Sequence, residues 1–272
     1  MSWSAFENRS EEQKRIAWAG AHAERQRYIA WANVKIKRAL RAQTKLAAKA
    51  IAEAGLHDQA ARVVEHSLVR SKPLITAVYH RLYLMIAPIF AEKVLSTIKA
   101  SDGQRASWDR IVSDYLSNEG GIKITQINET TKNRIMRIVD EEVAKGSSLR
   151  DIANLIDSNI MLDQIIANRA MVIAHTETVT ASNWGSLLGA KSSGAAVDKQ
   201  WISTRDSATR GIDPTDEFDH WSMDDRSCAL DDLFAVPMRP AGAEMLQFPG
   251  DPTGSAGNII NCRCVVGYLR KS

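Results

Sequence analysis

The clearest periodic pattern in the chain lies between Glu11 and Ala54. This segment contains no proline and is dominated by Ala, Lys, Arg, Gln and Glu, all strong helix formers. Apolar residues recur in it at intervals of four and seven, which places them on one face of a helix. They are Ile29, Ile36, Leu40, Ala47 and Ile51. The pattern predicts one long helix with a single apolar stripe.

From Gly55 to about residue 190 the pattern predicts shorter helices. Pro73 suits the first turn of a helix, because the N–H that proline lacks has no helical partner there. Ser148 and Asp151 have the spacing of a capping box, which opens a helix. The predicted helices cover 57–69, 74–98, 108–116, a segment around 135–143, a segment from 148 through 156, and about 162–188.

The last eighty or so residues follow a different pattern. A short run with Trp201 and Ile202 leads into a polar turn, and a second run, 265–269, lies near the end of the chain. About fifty residues rich in Asp, Pro and Gly separate the two runs, too irregular for a long helix. We therefore predict two strands joined by a long ordered excursion, with Trp201 as the core anchor. The fold class is α+β, a mainly helical N-terminal region followed by a small β-containing domain.

Composition also indicates a boundary between the helical region and the C-terminal domain. A length of 272 residues favours two domains. The net charge of +3 is uneven: residues 1–50 hold eleven Lys/Arg against four Asp/Glu, whereas residues 195–272 hold eight against twelve. Five of the seven prolines also fall in that last segment, so composition changes near 191–194.

The long N-terminal helix presents a basic face opposite its apolar stripe. No acidic residue occurs between Arg25 and Ala52. One interpretation is a solvated face on a helix that packs in the core. The other is contact with DNA phosphates or with an acidic protein surface. The residues predicted to make that contact are Arg27, Arg38, Arg41, Lys45 and Lys49.

Cysteine usage and hydropathy bear on the compartment. Three cysteines give no disulfide framework, as expected of a protein folded in a reducing cytoplasm. The polar, charged first twenty residues predict no signal peptide. The longest apolar run, 82–91, contains Pro88 and is shorter than the ~20 residues that span a bilayer, so no membrane span is expected.

A metal site is one hypothesis for the C-terminal domain. In an extended strand Cys262 and Cys264 point to the same face. With Cys228 and His220 they would complete a tetrahedral Cys3His zinc site, which would stabilise a domain with a limited core. The alternative is that the cysteines are small buried side chains and that His220 is a hydrogen-bonded core residue.

Further polar residues of this region also allow two interpretations. Asp206, Arg210 and His220 could be an acid–base set. Opposite charges in an irregular segment are more often buried ties that fix a loop, and we assign Asp206, Arg210 and Glu177 that structural role. Glu177 is expected to pair with Arg210 or Arg263. No nucleophile motif or phosphate-binding loop accompanies these residues, so we expect no enzymatic activity.

The order of these residues also resembles a known family. The segment Ala174-His175-Thr176-Glu177 comes before the residues discussed above. In the corresponding segment of the family named next, the position of His175 is usually Arg. The C-terminal part of the chain, roughly 149–269, is similar to the C-terminal domain of phage head-morphogenesis proteins, the Mu F-like minor head family. The residues that carry the likeness are, in order, Lys199, Trp201, Asp206, Thr209, Arg210, His220 and the run Asn261-Cys262-Arg263-Cys264.

The resemblance implies a function and a setting. A protein of this family is expected to be a minor head component in few copies, binding the portal and acting in head assembly, DNA packaging or genome ejection. Other head proteins and double-stranded DNA would be its further partners, in the virion and, during assembly, in the host cytoplasm. The implied domains are an assembly region, 1–146, and a head-morphogenesis domain, 147–272. The alternative is a metal-dependent hydrolase or a toxin-like effector built on the same C-terminal module.

Overall fold

A computed structural model describes residues 10–98, 108–117, 121–158 and 160–270. The first nine residues, on which the expected absence of a signal peptide partly rests, lie outside these ranges. The helices are α1 (Glu11–Glu53), α2 (Ala60–Ile98), α3 (Trp108–Tyr115), α4 (Gly121–Ala144), α5 (Leu149–Ser158), α6 (Ile160–Ser192) and α7 (Ala256–Ile259). The strands are β1 (Val197–Ile202), β2 (Ser227–Ala229), β3 (Phe234–Pro237), β4 (Ala243–Leu246) and β5 (Val265–Arg270). The predicted α+β class is confirmed.

The helices follow the predicted pattern except at Pro73. Helix α1 covers almost the whole predicted segment, and Ser148 opens α5 by accepting a hydrogen bond from the Asp151 N–H at 3.2 Å. The prediction of separate helices before and after Pro73 is wrong, because α2 runs through that residue. Buried residues on both sides of it, from Leu68 to Ile75, continue one helical stripe. Their burial offsets the ~3 kcal/mol that an interior proline costs.

The chain forms two compact units, each assembled from separate stretches. The strand unit consists of residues up to Ala30, Leu82–Val112 and His175–Ser272. The helical unit consists of Trp31–Arg81 and Ser113–Ala174. Each of α1, α2 and α6 therefore contributes residues to both units, so neither unit is a continuous segment of sequence.

The apolar stripe of α1 is buried inside the protein. Within the helical unit, Ile36, Leu40 and Ile51 are at most 1% exposed. This stripe belongs to the core, so it is not available to a separate partner.

In the strand unit, β1 lies between β2 and β5 in an antiparallel sheet. Strands β3 and β4 form a separate antiparallel hairpin. Trp201 on β1 is 0% exposed and belongs to the core, as predicted. The two predicted strands are present as β1 and β5 and pair with each other, whereas β2, β3 and β4 lie in the excursion and were not predicted.

Helices α2 and α6 approach closely in the strand unit. A Cβ added to Gly185 would lie 2.4 Å from the backbone oxygen of Ala87, and one added to Gly189 would lie 2.4 Å from that of Ala91. Real Cβ atoms do not tolerate such contacts. Glycine at these two positions therefore permits the backbone contact that holds α6 in place.

One helical segment of the described chain, 57–98, is long and apolar enough to cross a membrane, judged by length and composition. Of its most apolar stretch, 44% is buried within the protein. A buried core helix passes the same test, so the finding is weak evidence for a span, and the expected absence of one stays a prediction.

Candidate metal centre

The two cysteines of the Asn-Cys-Arg-Cys run lie where the chain enters β5. Helix α7 ends at Ile259, and the Cys262 N–H donates to the Ile259 carbonyl at 3.2 Å. Asn261 has a φ of 58°, a left-handed conformation that asparagine tolerates better than most residues. This turn directs Cys262 and Cys264 towards the same side, as predicted, although both precede the strand itself.

His220 completes a buried group of three potential ligands. Its Nδ1 lies 3.7 Å from the Sγ of Cys262 and 3.8 Å from the Sγ of Cys264. All three ligand atoms lie within 4.8 Å of one another, and the three side chains are 1–2% exposed. A zinc ion with ordinary Zn–S and Zn–N bond lengths and tetrahedral angles would set S···N distances of about 3.6 Å. The group can therefore hold a metal ion with little rearrangement.

The two thiols of this group form a hydrogen bond with each other, which shifts their pKa values in opposite directions. A hydrogen bond with Cys262 lowers the pKa of the Cys264 thiol well below its ordinary value, against the opposing effect of burial. A hydrogen bond from the Thr204 backbone lowers it further. The same hydrogen bond between the two thiols raises the pKa of the Cys262 thiol. One cysteine is thus prepared to act as a thiolate, the form that binds metals.

The prediction of Cys228 as a fourth ligand is wrong. In the β1–β2 register Cys228 lies opposite Lys199, and its Sγ approaches the Asp232 carbonyl at 4.0 Å. On β1, the residue whose ring contacts His220 is Trp201. Trp201 lies two residues beyond Lys199, which is roughly 6.6 Å along the strand, so Cys228 lies opposite a different part of β1 from the one that contacts His220. Burial also raises the pKa of the Cys228 thiol, which disfavours a thiolate there.

The opposite ring nitrogen of His220 is also bonded. Its Nε2 lies 2.5 Å from Oδ1 of Asn258 in α7. The Nδ2 of Asn258 donates to the Glu244 carboxylate at 2.6 Å, and Glu244 accepts the Ser255 N–H at 2.7 Å. Sequence reasoning missed Asn258 and Glu244. Their partners are 11 to 38 residues away, so no local pattern marks them.

The predicted polar ties lie around the same segment. Arg263 donates to both oxygens of Asp206, one at 2.8 Å, and Arg210 donates to the Ile260 carbonyl. Burial raises the pKa of Asp206, but the Arg263 guanidinium and hydrogen bonds from residues 208 and 209 bring it below its ordinary value. These ties connect the loop after β1 to the segment that carries Cys262 and Cys264.

Glu177, the third predicted tie, is buried in α6. Its Oε2 accepts a hydrogen bond from the Tyr83 hydroxyl at 2.9 Å. The structure thus places Glu177 between α6 and α2, with a partner that sequence reasoning did not anticipate.

A polar stripe on α6 positions the cysteine run. Thr176 accepts a hydrogen bond from the Asn261 N–H at 3.1 Å, and Thr180 donates to the Gly250 carbonyl at 2.8 Å. Asn183 donates to the Cys264 carbonyl at 3.1 Å. The spacings of four and three residues place the three side chains on one helical face. Polar residues at helical spacing in an otherwise apolar helix are visible in the sequence, so this face of α6 could have been predicted to make hydrogen bonds.

Arg25 lies on α1 but is not part of its exposed basic face. It is 1% exposed. Its guanidinium donates to Ser182 Oγ and Asn183 Oδ1, both at 2.7 Å, and to the Cys264 carbonyl at 3.4 Å. Burial lowers the pKa of Arg25 to about 10. The start of α1 is therefore part of the support of the metal group.

The basic face of α1 is partly neutralised within the helical unit. Arg41 forms two hydrogen bonds with Asp163, at 2.9 and 2.7 Å, and Lys45 lies 3.7 Å from Asp157. The prediction of an unopposed basic face is therefore wrong for these residues. Sequence proximity could not show it, because the acidic partners are more than a hundred residues away.

The other three residues predicted to contact a partner are exposed. Arg27 lies in the strand unit, and Arg38 and Lys49 lie in the helical unit. Lys49 is 3.9 Å from Glu53 across one helical turn, and both side chains are mostly exposed. Such an exposed pair leaves the charge accessible.

Comparison with known proteins gives one distant relative. The chain is 26% identical over 145 residues to an uncharacterized protein, YqbB, of Bacillus subtilis (strain 168). The match covers 53% of this chain and 44% of the relative, so the chain matches less than half of the relative's length. No family model matches the chain, and no solved structure matches it.

Proposed function

We propose that this chain is a structural minor head protein of a tailed bacteriophage or a related particle. In this role it binds the portal oligomer and acts in head assembly, DNA packaging or genome ejection. The observation that supports the proposal is that residues scattered along the resembling segment converge around one buried centre. His220, Cys262 and Cys264 form the centre, Trp201 packs against it, and Asp206 ties its cysteine run. A chance likeness of scattered residues gives no reason for this convergence.

We further propose that the metal at this centre is zinc. Two sulfurs and one imidazole nitrogen are ligands that zinc commonly takes in proteins. Zinc in turn supplies folding free energy, because a preformed site is absent from the unfolded chain. In this proposal His220, Cys262 and Cys264 hold the ion.

Three protein ligands are also the number found in catalytic zinc sites, so the ligand count does not separate the structural role from the hydrolase alternative, and burial is the feature that favours the structural role. A catalytic zinc keeps a coordination position open to water or substrate. Here the three ligands are 1–2% exposed, and Trp201, which is 0% exposed, lies with its ring centroid 5.3 Å from that of His220.

The portal contact is assigned to the exposed charges of the helical unit. The apolar stripe of α1 is buried, so the contact proposed there is electrostatic, through Arg38, Lys45 and Lys49. Exposed charges of one sign steer association with an oppositely charged protein surface and make it sensitive to salt. The same face is the proposed contact if double-stranded DNA is the partner.

The test is made on particles of the phage or prophage that carries the gene. Mass spectrometry of purified particles should find the chain in few copies beside the portal protein. Replacing Arg38, Lys45 and Lys49 by Gln should lower incorporation and leave the fold intact, because Gln is a good helix former. If particles that contain the portal lack the chain, the proposal is wrong.

A charge-matched control separates the proposed face from net charge. Replacing Arg62, Arg70 and Lys72 on α2 by Gln removes the same number of charges from another part of the helical unit. We expect this control variant to enter particles normally. DNA binding that falls with salt and is weakened only by the α1 variant would identify DNA as the partner.

A further inference from the structure

Three side chains in series lead away from the metal group on the side opposite the cysteines. His220 contacts Asn258, and Asn258 contacts Glu244. Asn258 is 1% exposed and His220 is 2% exposed. Buried polar groups of this kind adopt the hydrogen-bond directions that satisfy all members, so the series can be followed from its end.

Glu244 fixes the direction of the series. A carboxylate only accepts hydrogen bonds, and Glu244 already accepts from the Ser255 N–H at 2.7 Å. The group of Asn258 that lies 2.6 Å from it must therefore be the NH2 donor. The amide oxygen of Asn258 then faces His220, and Nε2 of His220 must carry the proton that it donates.

The tautomer of His220 follows from this assignment. A neutral imidazole has one protonated nitrogen and one free lone pair. With the proton on Nε2, the lone pair is on Nδ1, which is the nitrogen 3.7 and 3.8 Å from the two sulfurs. In metal sites, the residues that hydrogen-bond the outer nitrogen of a ligating histidine commonly fix its tautomer and orientation. Asn258 and Glu244 have this arrangement relative to His220.

We propose that Asn258 and Glu244 are positioning residues that hold His220 in the Nε2–H tautomer and so select Nδ1 as the metal ligand. The inference rests on the proposed zinc centre, but the tautomer itself can be measured without metal. Loss of such an outer partner typically lowers metal affinity 10–100-fold.

The test combines nitrogen NMR of the imidazole with zinc titration of the full chain. In the metal-free protein, long-range 1H–15N correlations should show the proton on Nε2 of His220. Replacing Asn258 by Leu removes the acceptor at similar size, and zinc affinity should fall roughly 10–100-fold. A variant that combines Glu244→Gln with Asn258→Asp reverses the amide–carboxylate order and keeps an acceptor at Nε2. It should recover most of the lost affinity.

Asp251→Asn is the control for general damage to the same region. Asp251 is 3% exposed and accepts the Gln247 and Thr253 N–H groups, at 2.6 and 3.0 Å. Its replacement should lower stability and leave zinc affinity within about threefold of wild type, since Asp251 is not among the groups that bond His220.

The outcomes separate this inference from the proposed zinc centre. A proton on Nδ1 in the metal-free protein, or unchanged zinc affinity after Asn258→Leu, would overturn the positioning role. If the wild-type protein binds no zinc, the zinc proposal fails. The tautomer in wild type and in Asn258→Leu then decides whether the pair orients His220.

Discussion

The pH dependence of stability is expected to depend on His175. This residue lies half-buried in α6. Burial lowers the pKa of His175 to about 4, and the positive charges of Arg25, Arg263 and His22 add to the effect. The folded protein thus holds this imidazole neutral in a range where an unfolded chain protonates it.

The sign and size of the effect follow from this difference. A histidine in an unfolded chain has a pKa of about 6.5. Between pH 6.5 and 4 the unfolded state binds a proton that the folded state does not, so stability falls as pH falls through this window. Full loss would be about 3 kcal/mol, and between pH 7 and pH 5 the expected loss from His175 is about 2 kcal/mol.

Urea unfolding of wild type and His175→Gln at pH 7 and pH 5 measures the effect. The other titratable groups are the same in both proteins, so the difference between them isolates His175. We expect the Gln variant to lose about 2 kcal/mol less than wild type on acidification. If wild type and His175→Gln lose the same stability, the imidazole is not held neutral by the fold.

Four further substitutions test the packing and one ion pair. Trp201→Ala should cost roughly 3–5 kcal/mol in denaturant unfolding, because a fully buried ring is removed, and a cost below about 1 kcal/mol would contradict its anchoring role. Gly185→Ala should cost about 1–3 kcal/mol through overpacking, whereas Gly20→Ala, whose Cβ meets nothing within 4 Å, should be neutral or stabilising by up to about 1 kcal/mol. Equal effects at the two glycines would refute the close approach of α2 and α6. Arg41→Gln should cost less than about 1 kcal/mol, because Arg41 and Asp163 are 43% and 52% exposed, and a larger loss in the same assay would show a buried pair.

Local patterns in the sequence sufficed for the helices and the two terminal strands. Helix α1 was predicted to within one residue, because its periodicity and its lack of proline are local properties. The error at Pro73 arose because a local rule for proline was applied where buried residues on both sides sustain one helix. Strands β2, β3 and β4 have three or four residues each and depend on pairing partners, so no local signal defines them.

The candidate site was predictable only where sequence spacing fixes geometry. The alternation of Cys262 and Cys264 predicted their common side, and His220 was correctly added to them. Cys228 was wrongly included because it was chosen for its residue type alone. Its position depends on the β1–β2 register, which the sequence does not show. The burial of Arg25 could not be predicted, because the sequence does not show that Ser182, Asn183 and Cys264 accept hydrogen bonds from its guanidinium.

The central claim is that His220, Cys262 and Cys264 bind zinc, and elemental analysis tests it most directly. Full-length wild type and Cys228→Ser, purified after expression with zinc, should each contain about one equivalent, and chelation should lower their melting temperatures. The double variant Cys262→Ser with Cys264→Ser should contain none. Wild-type protein that is free of metal and melts at the same temperature with and without chelator would contradict the account.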